Sequence, residues 1–181
     1  MSTCVMLDLE TLGTHPDCVV LTIGAIKFNP YTMDEPGDGM YLRLDIEEQL
    51  NLGRSTLDST IEWWAQQDPK VREEAMGDQG YRANIAELRK ELNKFLVGVE
   101  HIWCQGPAFD IVILEDLYRS QCWPIPWHFW QIRDSRTLFG VHGDPREKGR
   151  DQAHNALMDC YYQAIGVQKV YNQLGVKSRP G

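Results

Sequence analysis

Asp8 and Glu10 sit two residues apart at the end of an apolar run near the start of the chain. A strand alternates its side chains between two faces, so this spacing turns both carboxylates to the same side. Neighbouring acids repel each other, and a bound divalent cation is the partner that reconciles them. Taken alone, the pair suits a solvated strand end or a turn cap equally well. Two later segments add to it. Asp110 follows the breaker Gly106-Pro107, and His154 precedes Asp159 by five residues where the last helix is expected to start.

Each of these also has an ordinary structural reading. Asp110 suits the positive end of a helix. His154 reads as a hydrogen-bonded loop histidine, and Asp159 as a solvated acid. The ordered set is much harder to reach by chance than any member: Asp-x-Glu on a strand end, an Asp after a later strand, then His-x4-Asp entering a C-terminal helix. Five helical residues turn through about 140°, so His154 and Asp159 do not share a face as an i, i+4 pair would. From the loop before the helix, His154 leans over the site from the side, which suits a proton acceptor.

The elements that must position these groups are readable from hydrophobic periodicity. Strands are expected at 3–9, 19–28, 40–46 and 101–105, the first three as an antiparallel meander joined through turn residues. Ser59 and Glu62 have capping-box spacing at a helix start. Helices are further expected at 70–76, 83–98, 108–120, 134–140 and from Asn155 to Leu174. The aromatic-rich stretch 123–132 reads as an extended segment, an exposed pairing surface or a lid over the core. Residues 143–151 read as a polar loop. The result is an α/β layered domain with a mixed sheet. At 181 residues, 43% apolar and 24% charged, the chain suits one domain over 1–181, with 175–181 as a flexible tail.

The formal charge of −8 argues against broad, non-specific duplex binding, which needs many cations on phosphates. It leaves room for nucleic acid held at one small, cation-assisted site. No run approaches a membrane span, and the N-terminus lacks a signal-peptide pattern. The five cysteines are widely spaced without a Cys-x-x-Cys pair, and read as buried thiols of a reducing, cytoplasmic compartment.

On the motif residues Asp8-x-Glu10, Asp110 and His154-x4-Asp159, the chain resembles the His-containing branch of the DEDD 3′–5′ exonucleases. The resemblance covers nearly the whole chain and departs at none of the five positions. More narrowly, Asp8-Leu-Glu-Thr-Leu-Gly-Thr, Trp63-Trp64 and His154-Asn-Ala-Leu-x-Asp resemble the group containing T-even phage exonuclease A, the catalytic part of exonuclease VIII and a mycobacterial exoribonuclease. It implies a ribonuclease H-like fold, a mixed five-stranded sheet flanked by helices, in a single exonuclease domain. It also implies two Mg²⁺ or Mn²⁺ ions held by Asp8, Glu10, Asp110 and Asp159. Four carboxylates balance two such ions, and hard oxygen ligands favour them over zinc. By analogy Asp8 bridges the ions, Glu10 and Asp159 serve the water-bearing one, Asp110 the other, and His154 is the general base.

The resemblance also implies that Thr11 and Leu12 contact the terminal nucleotide, with Leu12 and Phe109 as candidate wedges against its base; both also suit the core. Adjacent helical residues face different ways, so one of Trp63 and Trp64 is core, and Trp64 is expected to stack on a base. Arg146, Lys148 and Arg150 are balanced by three acids and read as a solvated loop or as cations that fold onto phosphate; Arg133 and Arg136 are alternatives. The expected reaction is release of nucleoside 5′-monophosphates from single-stranded DNA or RNA 3′ ends, with no membrane and a homodimer by analogy. A nucleic-acid-binding module without chemistry and a hydrolase of free nucleotides are the competing readings.

Overall fold

The structure, a computed structural model, describes residues 3–146 and 154–179. Its centre is a five-stranded mixed sheet in the order β3-β2-β1-β4-β5. The strands β1 (Cys4–Thr11), β2 (Val20–Phe28) and β3 (Gly37–Arg43) form the antiparallel meander. On the other side of β1, the short strands β4 (His101–Cys104) and β5 (Ile132–Asp134) run parallel to it. The helices are α1 (Ile46–Asn51), α2 (Asp58–Ala65), α3 (Pro69–Met76), α4 (Ile85–Phe95), α5 (Asp110–Ser120), α6 (Ser135–His142) and α7 (Ala156–Gln173).

The two-residue period of β1 divides the core. Val5, Leu7 and Leu9 face one layer, where they pack with Leu88 and Leu92 of α4 and with Ile113 and Leu114 of α5. Cys4 and Met6 face the other, against Phe139 of α6 and Cys160, Ala164 and Val167 of α7. Asp8 and Glu10 continue this second face beyond the point where apolar packing ends. A smaller cluster of Leu12, Val19, Leu21, Trp64 and Ala75 fixes α2 and α3 beside the end of β1.

Four local readings change. The third strand ends at Arg43, not 46, because Asp45 accepts the Glu48 N–H at 2.9 Å and starts α1. Helix α2 begins at Asp58 behind Leu57, without a side-chain cap, so Ser59 and Glu62 form no capping box. Cys122 is exposed, with φ 55°, whereas the other four cysteines are buried free thiols. The aromatic stretch divides: Trp127 is buried beside Tyr118, while Phe129 and Trp130 are exposed. Among the described residues no helix is long and apolar enough to cross a membrane.

Candidate active site

Strands β1 and β4 pair only from Cys4–His101 to Met6–Trp103, and then diverge. The divergence leaves the Leu9 N–H without a strand partner on that side. The chain leaves β4, turns at Gly106 with φ 111°, and enters α5 at Asp110. Asp110 Oδ1 then accepts the Leu9 N–H at 3.1 Å. A carboxylate from the second motif is thereby fixed between the two acids of the first. The site thus lies in the crevice at the carboxyl ends of parallel strands, a usual place for ligands in α/β sheets.

Asp159 arrives from the opposite layer. Gly24 of β2 is directly across from Asp8. A Cβ on Gly24 would lie 2.3 Å from the Ala156 carbonyl carbon and 2.4 Å from the Leu157 nitrogen. Only glycine lets the first turn of α7 rest on the sheet here. The Cys160 thiol donates to the Gly24 carbonyl at 3.3 Å, and Asn155 caps the helix through the Leu157 and Met158 N–H groups. Asp159 therefore hangs beside Asp8, and the side chain of Gln163, one turn on, acts on the Asp8 carboxylate and partly offsets the rise in its pKa. His154 lies just before the cap, its ring edge-on to Trp63 at 5.0 Å. Donor atoms of Glu10, His154 and Asp159 lie within 4.8 Å of one another.

The electrostatics are those of too many acids in too little water. Burial, then repulsion from Asp110, Glu10 and Asp159, raises the Asp8 pKa well above the carboxylate range. Burial and repulsion from Asp159 and Asp110 hold Glu10 at about 8. Burial raises Asp110 to about 7 despite its hydrogen bond from Leu9 and the charge of Arg136. Burial raises Asp159 to about 6, with His154 and Arg146 pulling it down. Asp159 Oδ1 is buried with no hydrogen-bond partner among the described residues. Unpartnered carboxylate oxygen and clustered negative charge are what a hard divalent cation would satisfy.

Beside the acids, a cleft of about 300 Å³ is lined by Glu10, Thr11, Thr60, Trp63 and Phe109 among others. Two sequence expectations are corrected here. Trp64 is 1% exposed, its indole N–H donating to the Thr11 carbonyl at 2.9 Å, so it braces the cleft from within the core. Trp63, 40% exposed, is the tryptophan with a free face. Leu12 is 5% exposed inside the third core cluster, and the cleft wall takes Phe109 instead. Thr11 is in the wall, its hydroxyl turned to the Gly13 carbonyl at 2.6 Å.

Of the candidate cations, Arg146 folds back on Asp144 and on the Gln105 side chain. Arg136 lies on the site side, bonded to the Gln105 carbonyl. Arg133 is at the other end of the strands, and Lys148 and Arg150 lie outside the described residues. Sequence reasoning missed Gly24 and Gln163. A glycine inside an apolar strand is the signal for close backbone approach; Gln163, one turn after Asp159, shares its helix face.

Comparison with known proteins gives the family and the fold. A family model described as the 3′–5′ exoribonuclease Rv2179c-like domain matches residues 3–171. An exodeoxyribonuclease of Enterobacteria phage T4 is 30% identical over 189 residues, spanning 86% of this chain and 83% of that protein. E. coli exonuclease I in complex with a dT13 oligonucleotide has a TM-score of 0.69 at 15% identity, covering 97% of this chain and 42% of that one. A zinc-bound E. coli exonuclease I–ssDNA complex gives 0.68 at 16%, covering 96% and 41%. The chain thus spans about two fifths of the length of these exonuclease I chains. At that identity the likeness shows the fold, which is ribonuclease H-like.

Proposed function

The chain belongs to the Rv2179c-like 3′–5′ exoribonuclease domain family, and from that premise we propose a metal-dependent exonuclease that removes nucleoside 5′-monophosphates from single-stranded 3′ ends. The observation that carries this is the meeting of Asp8, Glu10, Asp110 and Asp159 in one crevice, all with raised pKa values. Asp8, Glu10 and Asp159 would hold one divalent cation, and Asp8 with Asp110 a second. When bound, such cations ease ionisation of the attacking water and steady the leaving 3′ oxygen. Oxygen donors favour Mg²⁺ or Mn²⁺.

The remaining work falls to this chain's own side chains. His154, held edge-on by Trp63, takes the proton of the attacking water. Gln163 favours the charged form of the Asp8 carboxylate. Trp63 and Phe109 flank the cleft where the terminal base lies, and a ring stacked on a base contributes about 1–3 kcal/mol. The net charge of −8 favours a short single-stranded end over tracking along duplex.

The T4 relative is named for DNA and the matching family for RNA, so both polymers belong in the test. Matched end-labelled DNA and RNA oligonucleotides are incubated with Mg²⁺ or Mn²⁺, and with EDTA. Metal-dependent shortening from the 3′ end with mononucleotide products is expected. Binding without cleavage would favour a non-catalytic module, and hydrolysis of mononucleotides alone a nucleotide hydrolase.

A further inference from the structure

At the opposite end of β1 lies a second cavity, of about 320 Å³, lined by Tyr31, His101, Trp103, Arg133, Tyr171 and Arg179 with Cys4 and Pro30. It sits where β1, β4 and β5 begin, whereas the acids sit where β1 and β4 end. Cys4 and Asp8 are about 13 Å apart at 3.3 Å per strand residue. Helix α7 spans the same interval: Asp159 is in its first turn, and Tyr171 follows twelve residues later, about 18 Å along the axis.

The composition of this cavity contrasts with that of the chain. In a protein of charge −8, two guanidinium groups converge on one hollow. Arg133 and Arg179 both act on His101 and on Tyr31, so both charges are felt inside. Glu100 acts on the same groups and offsets part of this charge. Arg133 spends one nitrogen on the Trp130 and Ile132 carbonyls, and the rest of its fork is turned to no described acceptor. His101 is 9% exposed, and burial and the two arginines push its pKa down.

Neutral donors complete the lining. The Trp103 indole N–H is buried with no partner of normal hydrogen-bond geometry; it acts on the Cys4 thiol, a poor acceptor. The rings of Tyr31 and Tyr171 lie 5.6 Å apart, and those of Trp103 and Tyr171 5.9 Å, giving an aromatic wall beside the cations. Guanidinium forks match the oxygens of a phosphate, and indole and phenol hydrogens add donors. The volume admits a phosphate or a mononucleotide and is too small for a folded peptide.

We propose that this cavity is a second, non-catalytic site that binds a phosphomonoester dianion. The proposal stands on the cavity's own donors and does not depend on the reaction carried out at the acids. Inorganic phosphate and UMP are the two probes, titrated calorimetrically into the full chain in EDTA so that cations at the acids contribute nothing. Saturable binding at millimolar concentration is expected. Asp8→Asn should leave it unchanged, while Arg179→Gln and Arg133→Gln should each weaken it at least about tenfold, the scale of a lost charge-assisted bidentate contact. Arg179 makes no hydrogen bond that shapes the fold among the described residues, so its variant separates binding from folding. UMP binding more tightly than phosphate would assign the aromatic wall to the nucleoside; equal affinity would assign the site to the phosphate group alone. Absence of saturable binding, wild-type affinity in Arg179→Gln, or loss in Asp8→Asn would each overturn the proposal.

Discussion

The Leu9 backbone N–H donates to Asp110 Oδ1 at 3.1 Å, across 101 residues of chain. This bond ties the first motif to the second and uses a strand donor that β4 leaves unpaired. It separates two roles of one side chain. Asp110→Asn keeps an acceptor for Leu9 and removes the charge. It should fold at least as stably as the wild type without cations, yet lose cleavage by more than about 100-fold, since even groups that only support metal ligands are worth 10–100-fold. Asp110→Ala should lose cleavage equally and be less stable than Asp110→Asn by about 1–3 kcal/mol, for an orphaned buried N–H. Chemical denaturation of the pair checks this.

Gly24 decides whether α7 can lie on the sheet. Gly24→Ala places a carbon 2.3 Å from the Ala156 carbonyl carbon, a backbone atom that cannot rotate away. The first turn of α7 must lift, taking Asp159 and His154 from Asp8. A loss of at least about 1–3 kcal/mol is expected from overpacking, with weakened Mn²⁺ binding. Wild-type Mn²⁺ affinity in this variant would count against Gly24 as the positioning contact.

The adjacent tryptophans should separate cleanly. Trp63→Ala removes an exposed ring, and should raise the KM for oligonucleotides about 10-fold or more, as loss of about 1–3 kcal/mol of stacking implies. Its melting temperature should change little. Trp64→Ala empties a buried site and should cost about 3–5 kcal/mol. Thermal melting beside steady-state kinetics distinguishes them, and the reverse pattern would reassign the stacking face.

His154→Ala tests the proton acceptor. Turnover should fall by about 10²–10⁴, the usual contribution of general base catalysis. Oligonucleotide and Mn²⁺ affinity should stay within a few-fold. Unchanged turnover across pH 6–9, on the order of the imidazole range, would remove His154 from the chemistry.

The acids also predict a pH dependence of stability. Glu10 at about 8, Asp110 at about 7 and Asp159 at about 6 all lie above the ordinary carboxylate values of 4.5 and 3.8. Between those ordinary values and the raised ones, the folded chain binds more protons than the unfolded chain. Their contribution therefore favours folding at low pH and is lost as pH rises through about 6 to 8. Bound cations replace the protons and reverse the trend. The melting temperature in EDTA should fall from about pH 5 to pH 8, and Mg²⁺ or Mn²⁺ should raise it more at the higher pH. Asp8→Asn should flatten the EDTA profile. A flat wild-type profile would mean the crevice carries no such strain.

Local chemistry made much of this legible. Alternation along β1 alone put Asp8 and Glu10 on one face, and apolar periodicity placed α4 and α7 within three residues of their observed ends. The Gly106-Pro107 break marked where Asp110 enters its helix, and the periodicity from Asn155 marked where Asp159 enters its own. Short-range rules failed where long-range packing decides. Nothing near Trp63 or Trp64 says which ring the Val19–Leu21 cluster buries, and nothing near Leu12 says that the same cluster claims it. Asp45 outcompeted the third strand by capping a helix whose apolar content is too small to announce itself. The second cavity was invisible for the same reason. Arg133 and Arg179 are 46 residues apart in sequence, and only the parallel start of β1, β4 and β5 with the end of α7 brings them together. The sequence alone singled out the groups proposed to carry the chemistry, because their types and spacing are local. The tertiary structure alone decided what they face, because a strand or helix fixes a side chain's direction but not its neighbours.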